Sequence, residues 1–241
     1  MNIIIGKKAI LDAIANKSLQ KVITSDKDKN FLKIVRQNCH DITINNDKSF
    51  YQKMTNISNH QFAIGYVVTK NNNMDLTNFL QKIKNKKNNY VVLVDSIVDP
   101  MNFGNIIRSA EIFGAEGIIY RKDRQVQITP SVIKASAGAI NNIYMIKTIN
   151  LVNAINQLKQ NGYWVYASCI DKIAHKLCNI KFQGKVAIVI GNEDKGISPL
   201  VVKNCDFKIY IEQFGKTQSL NASTAAGIIF HDIASKLYKN N

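Results

Sequence analysis

The sequence predicts an α/β protein in which a mostly parallel sheet carries helices on both faces and follows a smaller α/β unit. Three observations support this. From Tyr90 onward, short all-apolar runs alternate with helical stretches, as expected for strands buried on both faces by crossover helices. Residues 69–89 break the pattern with seven asparagines and five lysines, a composition suited to a linker. The first 70 residues show an alternation of their own. A chain of 241 residues is long enough for a small domain beside a larger one, and the boundary is placed at residue 72, with the linker running to about 89.

In the first unit, "GKKAILDAIAN" has helical spacing, "KVITS" is strand-like and "DKNFLKIVRQN" is helical again. "DITI" and "QFAIGYVV" read as further strands. The linker is expected to carry one short amphipathic helix, "LTNFLQKI". In the second unit the strands are "YVVLVD", "GIIY", "IYMI", "YWVYASC", "KVAIVI" and "FKIYI". Helices are expected after Asn102, near "SVIKASAG", over "LVNAINQL", after Ser198 and Pro199, and over a long final stretch from Ser219. Pro100 to Asn105 reads as a polar turn at the mouth of the first strand.

The composition, 46% hydrophobic and 20% charged, is that of a globular protein. Thirty-two basic residues against 17 acids give a net charge of +15, a field that attracts polyanions, and nucleic acid is the leading partner on charge alone. Abundant Asn-Lys runs fit an AT-rich coding bias equally well. Four cysteines at irregular spacing, with no secretory leader, fit a reduced, cytoplasmic compartment. Cys169, His175 and Cys178 lie near one another, but a fourth zinc ligand is missing and Cys169 falls within an apolar run, so no metal is expected. No apolar run approaches the roughly 20 residues that span a bilayer.

Ligands on such sheets bind beyond the carboxyl ends of the strands, which directs attention to three loops. The first holds Asn102 and Gly104, with Arg108 four residues further on. A guanidinium near a helix N-terminus suits a phosphate or the ribose beside it; the plainer alternative is an arginine that only reaches to water. The second, "VIGNEDKGISP", places Glu193 between Gly191 and Gly196. There Glu193 could accept hydrogen bonds from a bound group or brace Arg108. The third, "SLNASTAAGI", sets Ser219 and Asn221 before a run of small residues that permits close backbone approach. The dinucleotide fingerprint G-x-G-x-x-G is absent, which disfavours a nucleotide-dependent oxidoreductase.

Taken in order, these loops resemble the motifs of the SpoU branch of the SPOUT RNA methyltransferases. The correspondence is N-x-G-x-x-x-R at Asn102, Gly104 and Arg108, then G-x-E-x-x-G at Gly191, Glu193 and Gly196, then S-L-N-x-S-x-A-x-G-I from Ser219 to Ile228. A further S-x-G segment falls at Ser136 and Gly138. The likeness runs from about Val91 to Ile233, and "IIIGKKAILDAI" resembles the start of the ribosomal-protein-like RNA-binding domain that precedes some of these enzymes. Glu212 stands where the family has proline, and Asp194 where it has glycine.

The resemblance implies a C-terminal trefoil knot, a homodimer, and S-adenosylmethionine as methyl donor. Gly191, Ile211 and Leu220 would hold the donor through backbone groups, with Ile190 and Gly196 beside them. The reaction implied is methylation of a ribose 2'-hydroxyl, most simply of a guanosine in 23S ribosomal RNA. Transfer RNA is the alternative substrate, and a noncatalytic RNA-binding or ribosome-assembly factor is the alternative of another class. Because a guanidinium is a poor base, Arg108 is expected to clamp the target phosphate and stabilise alkoxide charge. Asn102, Glu193 and Asn221 would shape the pocket around it, with Ser219 as a further candidate.

Overall fold

A computed structural model describes residues 2–15, 18–55, 60–67, 74–171, 173–216 and 219–238. The N-terminal unit comprises β1 (Asn2–Ile5), α1 (Lys7–Ala15), β2 (Leu19–Thr24), α2 (Lys29–Asn38), β3 (Asp41–Ile44), α3 (Lys48–Thr55) and β4 (Ala63–Val67). Its sheet runs β1-β4-β2-β3, with β4 antiparallel to both neighbours and β2 parallel to β3. Ile4, Ile10, Val22, Phe31, Val35 and Ala63 form its main core. β1 and α3 have no counterpart in the sequence reading. β1 is only four residues long, and α3 buries just Tyr51 and Thr55, so neither shows enough periodicity to stand out.

The larger unit begins with α4 (Leu76–Ile83), inside the span expected as linker. Asp75 caps this helix by accepting from the Asn78 N–H at 2.8 Å. Leu76, Phe79, Leu80 and Ile83 are buried against the large sheet, so the helix is part of that unit's core. Elements continue through β5 (Asn89–Asp95), α5 (Pro100–Ile112), β6 (Gly117–Arg121), α6 (Pro130–Ala135), β7 (Tyr144–Thr148), α7 (Leu151–Gln160) and β8 (Tyr163–Ser168). They end with β9 (His175–Lys176), β10 (Lys185–Gly191), α8 (Pro199–Asn204), β11 (Phe207–Tyr210) and α9 (Ala222–Leu237).

The seven strands lie in the order β7-β6-β5-β10-β8-β11-β9, and every pairing is parallel. The central strand β5 shows why helices must cover both faces. Tyr90, Val92 and Val94 point to one core with α5 and α9, while Val91 and Leu93 point to the other with α4 and α7. All five are fully buried.

Residues 100–105 are helix, not the polar turn expected. Asp99 is the N-cap, accepting from the Asn102 N–H at 2.8 Å, and Pro100 occupies the first turn, a standard starting pair for a helix. Asn102, Gly104 and Asn105 therefore lie within α5. Gly104 is required by packing: a β-carbon there would fall 2.3 Å from the Ala135 Cβ and 2.9 Å from the Val132 carbonyl of α6.

Candidate active site

The loops after β5 and β10 and the segment before α9 meet beyond the carboxyl ends of the central strands. Asn102 is their junction. Its Nδ2 donates to Glu193 Oε1, and its Oδ1 accepts from Asn221 Nδ2 at 3.0 Å. Both ends of this amide are thus fixed in a position only 7% exposed. Asn221 also caps α9, its Oδ1 accepting from the N–H groups of Ser223 and Thr224 and from the Ser223 hydroxyl. One side chain therefore starts the last helix and ties it to α5.

A second set of bonds reinforces the junction. Asp95, fully buried at the end of β5, accepts from the Ser198 N–H at 2.8 Å and the Ser198 hydroxyl at 2.6 Å. It also faces Arg121 at 3.5 Å. Ser96, held at φ +65°, offers its carbonyl to Asn192 Nδ2 at 3.1 Å. Asp95 is not among the site residues expected from sequence; Ser198 stands at the N-cap of α8, as the Ser198-Pro199 pair suggests, but its hydroxyl bonds Asp95 rather than the helix N–H groups. The available signal was a lone carboxylate closing an otherwise apolar strand.

Gly191 and Gly196 close the β10 loop on itself. Asn192 and Gly196 exchange backbone hydrogen bonds of 3.1 and 2.8 Å, and a β-carbon on Gly191 would lie 2.4 Å from the Gly196 carbonyl carbon. Beside this loop lies a cavity of about 350 Å³, lined in part by Gly196, Ile197, Ile211, Ser219 and Leu220. Four residues named from sequence (Gly196, Ile211, Ser219 and Leu220) therefore share one wall. Ile190 is buried in the sheet core, and Gly191 shapes the loop without lining the cavity. Cys169 also lines it, its thiol pushed up by burial. Glu193 Oε2 is buried with no partner among the described residues.

Arg108 lies elsewhere. It sits six residues beyond Asn102 on α5, roughly 240° around the helix, and is exposed. It lines a separate cavity of about 350 Å³ between α1 and the α5 and 136–142 segments, and the two cavities share no lining residue. Glu193 is bonded to Asn102 and does not brace Arg108. The expectation that Asn102, Glu193 and Asn221 surround Arg108 thus does not describe a single chain, because helical geometry turns the guanidinium away from the junction.

Glu212 forms an ion pair with Lys176, and Asp194 is exposed. Among the described residues no group of three His, Cys, Asp or Glu side chains is arranged to hold a metal, and no helix is long and apolar enough to cross a membrane.

A parallel sheet with a fixed loop junction and a cavity beyond its carboxyl ends is the arrangement of a ligand-binding α/β protein. The SpoU rRNA methylase family model matches residues 89–231, and the chain belongs to that family. It is 33% identical over 98% of its length, and 96% of the relative's, to a Staphylococcus haemolyticus protein described as a TrmH family tRNA/rRNA methyltransferase. The SpoU methyltransferase AviRb of Streptomyces viridochromogenes, solved with AdoMet, superposes with a TM-score of 0.79 at 18% identity, covering 97% of this chain and 89% of that one. An AdoMet-bound rRNA methyltransferase from Sinorhizobium meliloti gives a TM-score of 0.76 at 21% identity, covering 98% and 87%.

Proposed function

We propose that this protein is an S-adenosylmethionine-dependent RNA ribose 2'-O-methyltransferase that works as a homodimer on a guanosine of 23S ribosomal RNA. The observation that carries the reading is the convergence of the three motif loops through Asn221, Asn102 and Glu193 beside the cavity of Gly196, Ile211, Ser219 and Leu220. That cavity fits the donor: its size lies within the usual range for small-molecule sites, and its wall combines apolar side chains with backbone at a glycine.

When bound, S-adenosylmethionine supplies an electrophilic sulfonium methyl. The chain's residues hold and orient. The Asn221–Asn102–Glu193 chain keeps the three loops in register, so the donor cavity needs no rearrangement to form. Arg108 holds the phosphate beside the target ribose and stabilises charge developing on its 2'-oxygen. Transfer requires the reacting atoms to come within about 3–3.5 Å, yet Arg108 and the donor cavity lie in different crevices of one chain. Pairing of two chains, with Arg108 of one serving the donor of the other, resolves this.

The N-terminal unit, residues 1–72, grips the RNA. Lys29, Lys33 and Arg36, at i, i+4 and i+7, form one exposed basic face of α2, suited to phosphates that position the RNA without reading it.

The test is transfer of labelled methyl from S-adenosylmethionine to separated ribosomal and transfer RNA from cells lacking the gene, followed by nucleoside analysis. Label is expected in a 2'-O-methylnucleoside of 23S RNA. Label confined to transfer RNA would move the substrate to that class, and no label in any RNA would overturn the activity. Sedimentation showing an active monomer would overturn the dimer.

A further inference from the structure

The cavity around Arg108 holds a second set of groups that the methyl-transfer reading leaves unused. One wall is α1 of the N-terminal unit with Ser18 just before β2, contributing Lys8, Asp12 and Ser18; the other is α5 and the turn after α6, contributing Arg108, Glu111 and Asn141. The groups are chemically mismatched within the protein. Arg108 and Lys8 carry donors, and among the described residues neither has an acceptor. Among the described residues Asp12, in the same cavity, has no donor either, and the Asn141 side-chain oxygen is buried without a partner. Among the described residues Glu111 is engaged by Asn142 Nδ2 at 3.2 Å, and the Ser18 hydroxyl donates to the Ala13 carbonyl at 3.2 Å. Gly138, at φ +92°, keeps the floor bare: a β-carbon there would have the Asp12 carboxylate oxygen 3.9 Å away as its only near neighbour.

We propose that this interdomain cavity is the pocket for the flipped target nucleotide and that Asp12 is its specificity-determining residue, selecting guanine. The inference rests on the methyl-transfer reading and deepens it. An RNA nucleotide is both acceptor and donor: its phosphate and ribose oxygens answer Arg108 and Lys8, and its base edge answers the carboxylate. An ionised carboxylate only accepts. Of the four bases, guanine alone places two N–H donors side by side on its Watson–Crick edge, at N1 and N2, and so can bind a carboxylate with both oxygens. Uracil offers one such donor, and cytosine and adenine offer an amino group beside an acceptor that would face the carboxylate. Splayed bases are read on this edge in single-stranded RNA, and enzymes that act on a nucleotide draw it from the stack into a pocket. The RNA-binding unit thereby identifies the base while the larger unit holds the ribose.

The experiment uses the full-length protein, labelled S-adenosylmethionine and total RNA from cells lacking the gene, with digestion to nucleosides. The unaltered protein should place its label in 2'-O-methylguanosine. Asp12→Asn, which exchanges one acceptor for a donor, should lower guanosine methylation roughly ten- to hundred-fold, as expected for loss of a two-pronged base contact. Its donor affinity and melting temperature should stay at those of the unaltered protein, because Asp12 makes no bond to any of the described residues. Label in any other nucleoside overturns the proposal without recourse to a variant. So does an Asp12→Asn protein that methylates guanosine at the original rate. Failure to label any RNA overturns the methyl-transfer reading itself, a different result from either.

Discussion

Replacing Asn102 by alanine removes the side chain on which three loops converge, and the structure sets the expected size of the effect. Two hydrogen bonds go. The one to the Glu193 carboxylate is charge-assisted, of a kind worth about 1.5–3 kcal/mol, and the one from Asn221 is neutral, worth about 0.5–1.5 kcal/mol. Glu193 is half-buried and Asn221 exposed, so water recovers part of both, leaving about 1–3 kcal/mol of destabilisation. The Asp99 cap of α5 survives, since it binds the Asn102 backbone N–H, and the helix should therefore stay intact. Urea unfolding followed by the fluorescence of the sole tryptophan, Trp164 in β8, reports on the large sheet directly. Combining Asn102→Ala with Glu193→Ala isolates their interaction, expected at about 1–2 kcal/mol. Donor affinity should weaken alongside, by about tenfold per 1.4 kcal/mol. If the two substitutions are additive within about 0.5 kcal/mol, the contact does not hold the loops and the account of the junction is wrong.

Arg108→Ala should reduce single-turnover methylation by several powers of ten with donor affinity unchanged, because the two cavities are separate. Arg108→Lys should be almost as damaging, since an ammonium lacks the planar fork, and a near-normal lysine variant would refute the clamp. Gly191→Ala forces a methyl group to within 2.4 Å of Gly196 and 2.5 Å of Ile197 backbone atoms. It should destabilise the protein by about 1–3 kcal/mol and lower donor affinity in calorimetric titration; an unchanged affinity would show that this loop does not shape the donor cavity. His60 is buried and stacked on Tyr51, and its Nδ1 accepts from the Phe62 N–H at 3.0 Å. Burial first, then the charges of Lys48 and Lys134, hold its imidazole below the usual 6.5. With the folded value depressed, the unfolded chain takes up the proton first, so this stability is present above pH 6.5 and is lost as pH falls through the folded value. Thermal melts from pH 7.5 downward should show the decline, and His60→Leu should flatten it.

Much of this architecture was legible in the sequence because buried parallel strands leave short apolar runs that only crossover helices can separate. "YVVLVD" and "KVAIVI" announced β5 and β10 in this way. The mouths of the loops were less legible. Asn102 is visible as a motif residue, but its place within a helix depends on Asp99 and Pro100 acting together as cap and first-turn residue. That Arg108 faces away from Asn102 follows from the same helix start, since a turn would have allowed either orientation. The helix "LTNFLQKI" is legible from its apolar spacing and is α4, but its lysine- and asparagine-rich surroundings suggest a tether, whereas its four apolar residues pack into the core of the larger unit. The contribution of α1 to the Arg108 cavity had no local signal, because contacts between units leave no periodicity in either.

The pairing of β5 with β10 runs in register from Asn89 and Lys185 to Asp95 and Gly191, so the centre of the sheet joins segments far apart along the chain. Closing so long a loop must precede the contacts that reward it, which makes parallel sheets of this kind slow to fold. Until β10 inserts between β5 and β8, the first turn of α5 that carries Asn102 and the loop that carries Glu193 are not yet held together. Methyl-donor binding should therefore emerge only in the last kinetic phase of refolding, after most helical signal has returned, and the protein would acquire its ligand as a consequence of finishing its sheet.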